Sequence, residues 1–138
     1  MRNYTTIEQS KHLLELGLDP KTHDIYYEDI TMDEPFTKKI HIGQSIAIMD
    51  DLFSYRQGYT IPCWSTGALM NLMKPIGENT YTITGTLDGG AFVQFDGVTT
   101  VAFQEKTAFV AVYNMICWLL ENGYINKNKD DEENSFQR

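Results

Sequence analysis

Ala108-Phe109-Val110-Ala111-Val112-Tyr113-Asn114-Met115-Ile116-Cys117-Trp118-Leu119-Leu120 places one amide, Asn114, in thirteen otherwise apolar or aromatic residues. A helix built from this run is apolar all round and needs cover on nearly every side. It is too short to cross a bilayer, which takes about 20 apolar residues. In a chain of 138 residues the cover is the rest of the domain or a second copy of it. Glu105 or Thr107 is the expected start, and Asn122-Gly123 the expected end, with glycine supplying the left-handed cap. Asn114, once buried, requires a hydrogen-bond partner. A backbone or side-chain partner within the fold is the expected one; the alternative is its twin across a two-fold axis.

Upstream of that helix the period changes from helical to alternating. Thr80 to Leu87 sets Tyr81, Ile83 and Leu87 against Thr82, Thr84 and Thr86, as in a strand with one buried face. Asp88-Gly89-Gly90 and Asp96-Gly97 are turn sequences, and they delimit further strands over Ala91–Phe95 and Val98–Phe103. Further back, Ser65 is a good N-cap for a helix over 65–73, with Ala68, Leu69, Leu72 and Met73 at helical spacing and Pro75 as its stop. Ile61-Pro62 makes an extended entry to it. At the N-terminus, Thr6 with Gln9 or Thr5 with Glu8 forms a capping box, Ile7, Leu13, Leu14 and Leu16 form the apolar stripe, and Gly17-Leu18 closes the helix. Asp24–Glu28 and Lys39–Ile42 read as short strands on either side of a loop. Gln44–Arg56 leans towards helix. These elements predict an α+β domain over residues 1–125. A small antiparallel sheet of three to five strands is packed by the buried C-terminal helix and two shorter helices, and Ile25–Glu28 is a candidate extra strand of it. The polar tail 126–138 has no apolar periodicity and is expected to be disordered.

The net charge is −8, with ten acids against six bases in residues 1–60. Binding to nucleic acid or to an anionic membrane is driven by clustered Lys and Arg, so the balance argues against both. The N-terminal residues carry no apolar signal segment, and the two cysteines, Cys63 and Cys117, suit a reducing compartment; a cytoplasmic protein is expected, with no disulfide.

No complete catalytic motif is present. Cys63 precedes a predicted helix N-terminus, where a thiol can ionise more readily, but His12, His23 and His41 lie in stretches without a matching signature; burial as a small core residue is the commoner fate of a free cysteine. His23, Asp24, Glu28, Asp29, Asp33, Glu34 and His41 lack the spacing of a known metal site, so no metal and no cofactor is assigned. Gly85-Thr86-Leu87-Asp88-Gly89-Gly90 lies between strands, without the helix and lysine of a phosphate loop.

Three blocks taken together resemble a known group: Tyr4-Thr5-Thr6-Ile7-Glu8-Gln9-Ser10-Lys11 with Leu14-Glu15-Leu16-Gly17-Leu18 running to Tyr26-Tyr27; Ile61-Pro62-Cys63-Trp64-Ser65 with Ala68-Leu69; and Met115-Ile116-Cys117-Trp118-Leu119-Leu120. The group is one of small uncharacterised proteins carried by gut anaerobic bacteria, their phages and mobile elements. It implies an accessory role in the cytosol and brings no functional residue with it. Three functions follow as expectations. The first is a non-enzymatic acidic inhibitor or adaptor that meets a protein partner through Asp33, Glu34, Asp50, Asp51 and Tyr55, with a homodimer as one assembly open to it. The second is a binder of a nucleotide-like ligand using Tyr26, Tyr27, Lys38, Lys39, Gly89 and Gly90. The third is a cysteine enzyme using Cys63.

Overall fold

The structure, a computed structural model, describes residues 3–29, 38–50, 60–73, 80–85, 90–97 and 100–125. Helix α1 spans Ile7–Glu15. Of the two possible capping boxes it uses the later one: Gln9 N–H donates to the Thr6 hydroxyl at 3.0 Å, and Thr6 N–H donates to Gln9 Oε1 at 2.9 Å. At its far end Gly17 takes φ 99°. Gly17 N–H then reaches the Leu14 carbonyl and Leu18 N–H the Leu13 carbonyl, each at 3.0 Å. This is the Schellman pattern, which satisfies two otherwise orphaned carbonyls and turns Leu18 into the core.

After a 3-10 turn at Pro20–Thr22 come strand β1 (Ile25–Asp29), strand β2 (Lys38–Ile42), a single helical turn α2 (Ile46–Met49) and strand β3 (Thr60–Cys63). The expected extension of the C-terminal sheet by Ile25–Glu28 does not occur. Strand β1 is instead the centre of a separate antiparallel sheet, ordered β2-β1-β3. The physical reason is β3: both edges of β1 are already paired, by β2 on one side and by β3 on the other. The extended entry read at Ile61-Pro62 is therefore a strand in its own right. Tyr27, Ile61 and Cys63 form a small core on one face of this sheet, with Tyr4, Ile7 and Ile25 packed against them.

Helix α3 (Thr66–Asn71) follows, with Ser65 accepting Ala68 N–H at 3.1 Å as its cap. Strands β4 (Thr80–Gly85), β5 (Ala91–Asp96) and β6 (Thr100–Glu105) make the second antiparallel sheet in simple meander order, and α4 (Ala108–Glu121) closes the fold. Alternation in β5 buries Ala91, Val93 and Phe95 against α4. Strand β6 ends two residues later than expected, so Glu105 reaches the rim of that apolar face beside Ala91.

Thr107 caps α4, as one of the two expected starts. Gly123, at φ 77°, ends it, its N–H on the Leu120 carbonyl at 3.2 Å and that of Tyr124 on the Leu119 carbonyl at 2.8 Å. Phe109, Ala111, Val112, Met115, Ile116, Leu119 and Leu120 are all buried, between β5 and β6 on one side and α3 on the other. Each large side chain buried this way stabilises the fold by about 1.5–3 kcal/mol relative to exposure. The cover of these residues is the domain itself. Asn114 finds an intramolecular side-chain partner: its amide donates to Glu105 Oε1 at 3.1 Å. No helix among the described residues is long and apolar enough to cross a membrane. The tail 126–138, Pro75 and the Asp88-Gly89 part of the predicted turn lie outside the described residues.

Candidate functional site

Thr5 sits at the junction of α1 and β3 and decides what Cys63 can do. Its carbonyl accepts the Tyr27 hydroxyl at 2.9 Å and the Cys63 thiol at 3.1 Å, and its hydroxyl accepts Trp64 N–H at 3.1 Å. Cys63 is fully buried there, and desolvation raises its pKa above the ordinary thiol value, with Asp24 adding to the rise against hydrogen bonds from Thr5, Tyr27 and Ser10. The expected activation by the following helix is outweighed, and the thiol stays protonated and covered. Cys117 is likewise pushed up, to about 11, mainly by burial. Both cysteines are free.

His23, read from the sequence as part of a polar stretch, is fully buried. Its Nδ1 lies 2.7 Å from the Pro20 carbonyl, and its Nε2 accepts Ser45 N–H at 2.8 Å. A carbonyl only accepts and a backbone N–H only donates, so the ring is held as the neutral Nδ1–H tautomer. Burial lowers its pKa, against smaller opposing effects from the Pro20 carbonyl and Asp24. The ring thereby pins α2 to the 3-10 turn.

Beside it, Asp24 takes Ser65 N–H on one carboxylate oxygen at 2.9 Å and the Ser65 hydroxyl on the other. A cavity of about 630 Å³ opens here, lined by Thr22, His23, Asp24, Gln44, Ser65 and Asn71 among others. The serine and carboxylate invite comparison with a hydrolase triad, but both nitrogens of His23 are committed elsewhere, and among the described residues no histidine meets Ser65. Among the described residues, none that lines it is Lys or Arg, so these offer a phosphate no counter-charge.

The residues proposed for a nucleotide-like ligand are not gathered into one site. Tyr27 is buried with its hydroxyl committed to Thr5, whereas Tyr26 stacks on His41 at 4.7 Å between ring centres. Lys38 and Lys39 stand opposite Asp29 and Glu28 in the β1–β2 register. Gly90 is buried at the start of the other sheet, and Gly89 lies outside the described residues. Of the acidic surface, Asp50 is exposed as the C-cap of α2, while Asp33, Glu34, Asp51 and Tyr55 lie outside the described residues. Among the described residues, no group of three His, Cys, Asp or Glu side chains is arranged to hold a metal ion.

The sequence reading missed the exposed isoleucines of β2 and α2. Ile42 is 91% exposed, Ile46 75% and Ile40 41%. Gly43 N–H donates to the Asp24 carbonyl at 2.7 Å, and this sets the alternation of the β1–β2 ladder. Tyr26 and His41 exchange backbone hydrogen bonds, as do Glu28 and Lys39, whereas Ile25–Ile42 and Tyr27–Ile40 are the non-bonded pairs. The backbone N–H and C=O groups of Lys38, Ile40 and Ile42 therefore point away from the sheet. On the opposite edge, Pro62 of β3 turns its nitrogen outward, where no N–H is needed, and residues 4 and 5 run alongside through the Tyr4–Ser65 bridge and a Thr5 N–H bond to the Trp64 carbonyl at 3.0 Å. One edge of the sheet is blunted and the other displays isoleucine. The only sequence signal for it is Ile-x-Ile beside two lysines, a pattern that a buried strand would show equally well.

Comparison with protein-family models, with curated proteins and with solved structures gave no match.

Proposed function

We propose that the chain is a non-enzymatic interaction protein, an acidic inhibitor or adaptor of another protein, working in the cytoplasm of a bacterium or on behalf of its phage or mobile element. The observation that carries the reading is the exposure of three isoleucines, Ile40 and Ile42 on β2 and Ile46 on α2, with Asp50 exposed at the end of α2. Large apolar side chains left exposed close together in sequence support a protein contact. Covering Ile42 and Ile46 would supply about 1.5–3 kcal/mol each. The buried, protonated state of Cys63 and the engaged ring of His23 weigh against a catalytic role for either. Asp33, Glu34, Asp51 and Tyr55, which lie outside the described residues, are the further residues proposed to meet the partner.

The test is native mass spectrometry of the tagged protein drawn gently from its own host, beside an Ile42→Asp/Ile46→Asp variant. A protein partner lost in the variant supports the reading; a partner retained at full occupancy, or a bare chain in both samples, refutes it. A second reading, sequestration of a small molecule, draws on the cavity beside Asp24, whose lining suits a cation or a neutral hydrogen-bonding ligand better than a nucleotide phosphate. A small added mass on the native protein would support it.

A further inference from the structure

We propose that β2 takes up an extended segment of the partner as an additional strand, and that this segment alternates carboxylate with aliphatic side chains; the inference rests on the interaction reading above. Strand addition needs an edge whose backbone groups are unpaired within the sheet. Lys38, Ile40 and Ile42 offer theirs outward on the ladder alternation fixed by Gly43.

Side-chain alternation then dictates what fits. On one face of the sheet, Lys39 and His41 of β2 lie beside Glu28 and Tyr26 of β1. His41 Nε2 is buried and faces Glu28 Oε1 of the same sheet at 3.2 Å, so it is not offered to a partner. Lys39 is exposed on the outer strand of this face. On the other face lie Ile40 and Ile42. A strand laid against this edge presents alternate side chains to these two faces, so a carboxylate meets the exposed Lys39 while aliphatic groups cover the isoleucines. Directly opposed charges of opposite sign stabilise a strand pair by about 0.2–1 kcal/mol, and like charges destabilise it.

The same arithmetic disfavours a second copy. Antiparallel pairing of two β2 strands about Ile40 sets Lys39 of each against His41 of the other, so a second copy offers Lys39 no carboxylate. Lysine on an edge strand is a common guard against self-pairing, and here it also selects the acidic partner.

The experiment titrates the full-length protein with a labelled peptide of alternating glutamate and valine, with a lysine–valine peptide of equal length as control. The glutamate–valine peptide is expected to bind saturably and the control at least tenfold more weakly. Lys39→Glu should reverse that preference. Ile42→Pro, which deletes an outward N–H and leaves the β1–β2 hydrogen bonds intact, should weaken binding tenfold or more without altering the far-ultraviolet circular dichroism. Equal binding of both peptides, no binding of either, or full affinity in Ile42→Pro overturns the inference. Self-association abolished by Ile42→Pro also overturns it and names a second copy as the occupant. If the peptide results fail while Ile42→Asp/Ile46→Asp still loses its partner from lysate, strand addition falls and the interaction reading stands.

Discussion

Thr5→Val is the sharpest perturbation of the fold that presents this edge. Valine matches threonine in shape, so packing is kept and only the hydroxyl is removed. That hydroxyl accepts Trp64 N–H at 3.1 Å and lies 2.7 Å from the Ser10 hydroxyl, both in fully buried surroundings. Leaving a buried donor without its acceptor costs about 1–3 kcal/mol. Ser10 retains only a weaker set of options, so the expected total is about 2–3 kcal/mol. Thr5→Ser keeps the oxygen and deletes a methyl group, for which about 1 kcal/mol is expected from the lost burial. Urea denaturation followed by Trp64 and Trp118 fluorescence gives both values from the midpoint at unchanged slope. In a chain of this size 1 kcal/mol corresponds to roughly 4 °C in Tm, so thermal melts give an independent check. If Thr5→Val is as stable as the native chain, or loses less than Thr5→Ser, the hydroxyl does not tie α1 to β3 and the account of this junction is wrong.

Two further predictions concern the buried titratable groups. His23 has a folded pKa below its unfolded value of 6.5, because burial disfavours the imidazolium. The unfolded chain therefore takes up the proton first as pH falls, and stability that is complete above pH 6.5 declines as pH drops towards the folded pKa. Urea midpoints between pH 7.5 and 5 should fall less steeply in His23→Ala than in the native chain, and parallel slopes would show that His23 does not titrate as described. Cys63 and Cys117 should both resist iodoacetamide in the native state at neutral pH and label promptly in urea; rapid native labelling of Cys63, read by peptide mass mapping, would restore it as a nucleophile candidate.

The parts of the fold that were legible from sequence are those whose signals are local. The capping box at Thr6, the Schellman glycines Gly17 and Gly123 and the alternation of β5 are all written within a few residues. Strand β3 was not legible as a strand, because Thr60, Ile61, Pro62 and Cys63 are buried on both faces and show no alternation. Its pairing with β1 also spans more than thirty residues, which no local pattern encodes. His23 was misjudged for a related reason. Its polar neighbours describe the surface, while its ring points inward to satisfy Ser45 N–H. The isoleucines of β2 failed in the opposite sense: an Ile-x-Ile pattern marks an apolar face but does not say whether the protein or a partner covers it.

Amide hydrogen exchange across residues 38–42, read residue by residue by NMR with and without the glutamate–valine peptide, tests the central claim most directly. The account predicts that Lys39 and His41 are protected in both states, whereas Ile40 and Ile42 exchange freely in the lone chain and slow markedly in the complex. Protection of Ile40 and Ile42 in the lone monomer would show that the chain already covers its own edge, and unchanged exchange in the complex would show that the partner segment binds elsewhere; either result contradicts the account.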